Sequence, residues 1–201
     1  ADLKWLADPA EEPEPFGDGG TKMAWNTFNV VSIYPNGNPV MSDVNQRWVG
    51  DCCACAVIAS MAYLYPRFVK HIIKDNMDKT YTVTMYDPKG KQISVGVGGD
   101  YFIGNSGDLG ALGGRNKEVT WATILEKAMI KWNQIYQGSS NVGGIGTEYV
   151  SAIFTGDGES VGFGANALIA EDLQRAVEVS LKQGRLVIGG FTRSGEQVDQ
   201  T

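Results

Sequence analysis

Cys52 carries the most reactive chemistry this chain could offer. The segment Gln46-Arg47-Trp48-Val49-Gly50-Asp51-Cys52 runs directly into an apolar stretch, Cys53 to Tyr65, which places a thiol at the start of a helix. The attacking form of cysteine is the thiolate, and the partial positive charge at a helix N-terminus favours it. Gln46, six residues upstream, adds a carboxamide that can donate hydrogen bonds. An imidazole is the usual activator of such a thiol. The sole histidine is His71, just beyond the apolar stretch, a position that reads as surface or packing.

All three cysteines fall at Cys52, Cys53 and Cys55. Neighbours this close on a helix make poor disulfide partners, and an odd count leaves a thiol free. A zinc site would need paired Cys-x-x-Cys or histidines, and His71 alone cannot complete one. Three buried small hydrophobes are the plain alternative. Cys52, at the helix edge, is the candidate reactive thiol, with Cys53 and Cys55 structural.

The elements that must position this thiol are partly legible. Cys52 to Tyr65 has Ser60 as its clearly polar residue and is stopped by Pro66, which predicts a central helix buried all round. Tyr81–Tyr86 and Gln92–Val97 flank Asp87-Pro88-Lys89-Gly90 and predict a β-hairpin. Trp121, Ile124, Leu125, Ala128, Trp132 and Ile135 recur at helical spacing and predict an amphipathic helix. A last helix is expected over Leu168–Gln183, ending at Gly184 and leading into a strand, Leu186-Val187-Ile188. Residues 98–114 are glycine-rich and read as loop, without the Gly-Lys-Ser/Thr ending of a phosphate-binding loop. Pro35-Asn36-Gly37-Asn38-Pro39 reads as another loop. Residues 1–20, acidic and rich in proline and glycine, read as a flexible leader or propeptide remnant. The fold class is α+β, with no internal repeat.

Bulk composition excludes some functions. The 201 residues suffice for one ordinary domain or one subdomain of a bilobed enzyme. A net charge of -6 offers no basic surface, so nucleic acid is not an expected partner. No apolar run approaches the roughly 20 residues a membrane helix needs, so no membrane partner is expected. A start at Ala1 without a signal-peptide pattern reads as a processed or engineered chain.

Two separated motifs carry a family resemblance. The segment from Asp43 to Cys52, followed by Ala56-Val57-Ile58-Ala59-Ser60-Met61, resembles the nucleophile segment of calpains. Trp121-Ala122-Thr123-Ile124-Leu125-Glu126-Lys127-Ala128 resembles that family's Trp-Ser-Ala-Leu-Leu-Glu-Lys-Ala helix. Tyr136, Gly143-Gly144, Phe154-Thr155-Gly156 and Lys182-Gln183-Gly184-Arg185-Leu186-Val187 follow in the family's order, so the likeness spans about Pro35 to Phe191.

The resemblance implies a papain-like, calpain-type protease core over residues 21–191, with 192–201 opening the connection to a second subdomain. It implies Cys52 as nucleophile and Gln46 as oxyanion donor beside the Cys52 backbone N–H. Gly143 and Gly144 would line the bound peptide backbone, where the lack of a side chain allows close approach. Calcium is implied through Asp43, with Glu118 standing next to the second family carboxylate position at Val119. Two departures bear on calcium switching: a coupling arginine of the family is Met41, and the tryptophan after the nucleophile is Cys53. The catalytic His and Asn would come from the second subdomain, as another segment or a separate chain. Two other readings remain open at this point, a non-catalytic calpain-like module that binds protein and a transglutaminase-like thiol acyltransferase.

Overall fold

The chain is described here by a computed structural model that covers residues 2–18 and 21–190. The expected opening of a connection at 192–201 lies outside the described residues.

The N-terminus begins with helix α1 (Leu3–Ala7), whose first turn is capped by the Asp2 carboxylate accepting from the Lys4 and Trp5 N–H groups. A short antiparallel pair, β1 (Gly17–Asp18) and β2 (Thr21–Lys22), leads into β3 (Ala24–Thr27). Helix α2 (Cys52–Leu64) follows a single 3-10 turn at Met41–Asp43. Pro66 ends α2 and serves as the first residue of α3 (Pro66–Ile72), a use of proline that leaves no backbone donor unpaired. The two helix axes are bent by 113° at this break.

The expected hairpin forms as β5 (Tyr81–Tyr86) and β6 (Gln92–Val97), with Tyr81 opposite Val97 and Tyr86 opposite Gln92. Gly90 supplies the positive φ of +77° in its turn. Strand β4 (Ile73–Asp75), not foreseen, adds antiparallel to β5. Tyr81, Val83 and Met85 point alternately into the core, as period-two spacing requires.

The glycine-rich stretch contains a strand, β7 (Asp100–Ile103), paired antiparallel with β3 through Ala24 opposite Ile103. Reading 98–114 as loop is corrected here. Its glycines serve close packing: a Cβ on Gly104 would meet the Trp48 indole, and one on Gly110 the backbone of Gly104.

Helix α4 (Trp121–Gln137) is capped at its start by Thr120, whose hydroxyl accepts from the Ala122 N–H. It ends at Gly138 with φ +74°. Helices α5 (Thr147–Thr155) and α6 (Ala170–Lys182) follow. The result is an α+β fold with small sheets, as expected.

The roles of the two long helices differ from expectation. α2 is not buried all round: Ala54, Val57, Ile58, Met61 and Ala62 face the core, while Cys52 and Tyr63 are exposed. α4 is the central element instead, buried from Trp121 through Asn133 on every side. Its polar residues are covered rather than solvated, and the cover is the N-terminal segment. Lys127 is paired with Glu12 at 2.6 Å, and Lys131 donates to the Asp8 and Gly96 carbonyls at 2.8 Å each. Trp25 and Tyr101 flank Lys127, and Trp5 flanks Lys131. Residues 2–16 are therefore a packed strap with Leu6 fully buried, not a flexible leader. Two buried ammonium groups need these partners, which is why the acidic segment is held down.

The helix expected near residue 168 forms as α6, and none of its residues is buried. Residues 186–188 have no regular secondary structure, and among the described residues no strand pairs with them, so the expected strand is not formed.

Candidate active site

Cys52 is the first residue of α2 and is exposed. The α2 ladder begins with the Cys55 N–H donating to the Asp51 carbonyl at 3.0 Å. The preceding N–H groups of the first turn have no intrahelical acceptor by construction of a helix. Asp51 occupies the N-cap position but its side chain makes no capping bond. The start of α2 thus presents uncapped donors beside an exposed thiol.

Gln46 donates its side-chain Nε2 to the Val49 carbonyl at 2.9 Å. An amide NH2 has two hydrogens, so this bond fixes the side chain and leaves the second hydrogen for another acceptor. The Gln46-to-Cys52 turn is held from outside by Trp48, whose N–H donates to the Gly110 carbonyl at 3.0 Å.

The Gly143–Gly144 loop reaches the same place. The Gly144 N–H donates to the Gly50 carbonyl at 3.2 Å, two residues before Cys52. Gly144 has φ +74°, and Gly143 donates its N–H to the Asn141 carboxamide oxygen at 2.8 Å. The loop is anchored below by Asn133 of α4, which donates to the Ser139 and Asn141 carbonyls at 2.8 and 3.0 Å. Asn133 escaped sequence reasoning because a polar residue near a helix end normally reads as solvated.

Cys53 and Cys55 are more enclosed than Cys52. Burial, then the neighbouring Cys52, pushes the Cys53 thiol up. Burial, then the Asp51 and Glu126 carboxyls, pushes Cys55 up strongly. Cys55 donates its S–H to Asp51 Oδ1 at 3.5 Å. Both stay protonated thiols at neutral pH, which suits packing, and Cys52 is the exposed thiol of the three.

The calpain family of cysteine proteases matches residues 25–200. The chain belongs to that family. A search of the curated proteins finds no match. For this calpain-family chain, membership supports a cysteine protease at family level.

The calcium expectation meets a different arrangement. The Asp43 carboxylate is buried and accepts from Asn36 Nδ2 at 2.8 Å, the Val40 N–H at 3.2 Å and Trp121 Nε1 at 2.7 Å. Its backbone carbonyl accepts from the Thr120 hydroxyl at 3.2 Å. Both oxygens are occupied by N–H donors, and a cation would have to displace them. Glu118 folds back onto its own turn, against Gly114. No cluster of three or more His, Cys, Asp or Glu side chains that could hold a metal occurs among the described residues. As placed, the Asp43 carboxylate is saturated and serves as a latch between the 3-10 turn and the start of α4, while Glu118 keeps one buried oxygen, Oε2, without a donor.

His71 is exposed on α3. The rise along α2 is about 20 Å at 1.5 Å per residue, so His71 lies beyond the opposite end of that helix from Cys52. It cannot serve Cys52 as base.

Proposed function

We propose that this chain is the nucleophile-bearing subdomain of a calpain-like cysteine endopeptidase. The supporting observation is the exposed Cys52 thiol at an uncapped helix start, with Gln46 bonded to Val49 and the Gly143–Gly144 loop to Gly50 in the turn that leads into it.

The Cys52 thiolate adds to the carbonyl carbon of a peptide bond. The developing oxyanion takes hydrogen bonds from the Cys52 backbone N–H and the second Gln46 amide hydrogen. A donor of this kind is typically worth about 3 kcal/mol of barrier. Collapse expels the amine, which leaves with a proton from an imidazolium, and the acyl group remains on Cys52 as a thioester. Water, deprotonated by the same imidazole, then releases the acid. That histidine and an orienting asparagine come from a second subdomain, a further segment of a longer protein or a separate polypeptide. Gly143 and Gly144 lie along the substrate backbone.

The test is intact-mass spectrometry after incubation with a peptidic epoxide, an irreversible thiol-protease inhibitor. A single adduct mapping to Cys52 and lost in Cys52→Ala supports the reading. Labelling spread over Cys53 and Cys55, or none with the second subdomain supplied, overturns it in favour of a binding module. Amine incorporation in place of peptide hydrolysis would favour an acyltransferase.

A further inference from the structure

Two buried carboxyls, one of them next to Cys52 in sequence, take no part in the reaction scheme. Asp51 is 1 % exposed and precedes Cys52; Glu126 is equally buried, on the central helix α4. Glu126 accepts the Leu112 N–H through Oε2 at 3.0 Å, and Asp51 accepts the Cys55 thiol through Oδ1. That leaves Asp51 Oδ2 and Glu126 Oε1, both buried and neither with a conventional donor. The two side chains are within hydrogen-bonding reach of one another. Two carboxylates are acceptors only, so a bond between them requires one of them to carry a proton. An unpaired buried carboxylate would be costly, and a shared proton removes one charge while satisfying both orphan oxygens.

We infer that Asp51 and Glu126 form a carboxyl pair sharing one proton, and that this pair positions Cys52 by turning the Asp51 side chain away from the N–H groups of α2. Aspartate is among the strongest N-cap residues, and at this position it would ordinarily cap its own helix. Here the carboxyl is drawn inward to Glu126, so the donors of the first turn stay free for a substrate oxyanion or the thiolate. Asp51 and Glu126 are positioning residues. The inference rests on Cys52 being the nucleophile and adds what keeps its surroundings open.

Burial pushes Asp51 up to about 6 and, with the Asp51 charge, pushes Glu126 well above the usual carboxylate range. The pair therefore holds one proton and one negative charge through neutral pH. The groups facing it are Cys55 and, along the same helix, Cys52 and Cys53, with Glu148 of α5 facing Cys53.

Two measurements on the purified chain test this. Infrared difference spectroscopy at neutral pD should show a protonated-carboxyl C=O band in the wild type that disappears in Glu126→Gln. A spectrum without that band overturns the shared proton whatever Cys52 does. Alkylation of Cys52 by iodoacetamide, mapped by peptide mass and followed from pH 5 to 9, tests the positioning. Glu126→Ala frees Asp51 to cap α2 and should slow Cys52 at pH 7 by about tenfold, equivalent to one pKa unit on the thiol. Glu126→Gln still donates to Asp51 and should stay within about twofold of wild type. Equal slowing in both variants, or in neither, overturns the positioning role. If Glu126→Ala does not fold, the infrared band and Asp51→Asn decide: Asp51→Asn removes the group that titrates near 6, so the Cys52 pH profile should lose its inflection there, and a profile that keeps it overturns the positioning role. Failure of epoxide labelling with the band present removes the protease reading and leaves the pair standing.

Discussion

The backbone N–H of Gly144 donates to the carbonyl of Gly50 at 3.2 Å, tying the loop after α4 to the turn that presents Cys52. The φ of +74° at Gly144 is accessible to glycine and strained for other residues, so this tie depends on residue type. A Cβ there meets nothing within 4 Å, which makes the backbone angle, not space, the obstacle.

Gly144→Ala should therefore destabilise the fold modestly, by about 1 kcal/mol from the left-handed backbone. The reaction of Cys52 with a peptidic epoxide should slow clearly, while its reaction with iodoacetamide, which needs no peptide wall, should hardly change. Parallel rate measurements with the two reagents check the split. Equal slowing of both would place the effect on the thiol and not on the substrate wall.

Asp43 is predicted to be structural. Asp43→Ala leaves Trp121 Nε1 and Asn36 Nδ2 without their acceptor, at a cost of about 2 kcal/mol or more for buried donors. Adding millimolar calcium to the wild type should leave its melting temperature unchanged, because the carboxylate is already saturated with N–H donors. A calcium-dependent rise in melting temperature that vanishes in Asp43→Ala would refute this.

The hairpin, α4 and α6 were legible because periodicity reports which face is apolar. Burial was less so. α4 looked amphipathic from the spacing of its apolar residues, and the strap of residues 2–16 and the partner carboxyl of Asp51 enclose its other face, which carries Glu126, Lys127 and Lys131. Such cover comes from more than a hundred residues away in sequence, as between Asp8 and Lys131, and leaves no local signal. The helix start at Cys52 was legible from the apolar run that begins there. The state of its surroundings was not, since an aspartate before a helix ordinarily signals a cap, and here the side chain pairs with Glu126 instead. Strand β7 was hidden because glycines at Gly104 and Gly110 signal flexibility in sequence and close packing in the fold.

The strap should be indispensable. Glu12→Ala removes the anionic partner of Lys127, a side chain only 2 % exposed, and should cost about 3 kcal/mol, as breaking a buried ion pair from one side does. Lys127→Met in the same background removes the stranded charge and should recover much of that loss. Urea unfolding of the two single variants and the double variant measures the coupling. Full additivity of the two changes would contradict a direct pairing.

Lys131 gives the strap a pH signature whose sign can be worked out. Burial lowers its pKa to about 8, from an ordinary value near 10.5. Between those values the unfolded chain holds the proton more often than the folded one, so stability from this group rises with pH across about 8 to 10.5. Below pH 8 both states are protonated, and the folded state carries the full cost of the buried ammonium. Lys131→Met keeps the apolar stem, removes that cost, and should stabilise the protein at pH 7 more than at pH 10. Urea unfolding at the two pH values, wild type against variant, reads the difference directly. A variant whose advantage is the same at both would mean that the Asp8 and Gly96 carbonyls compensate the charge completely.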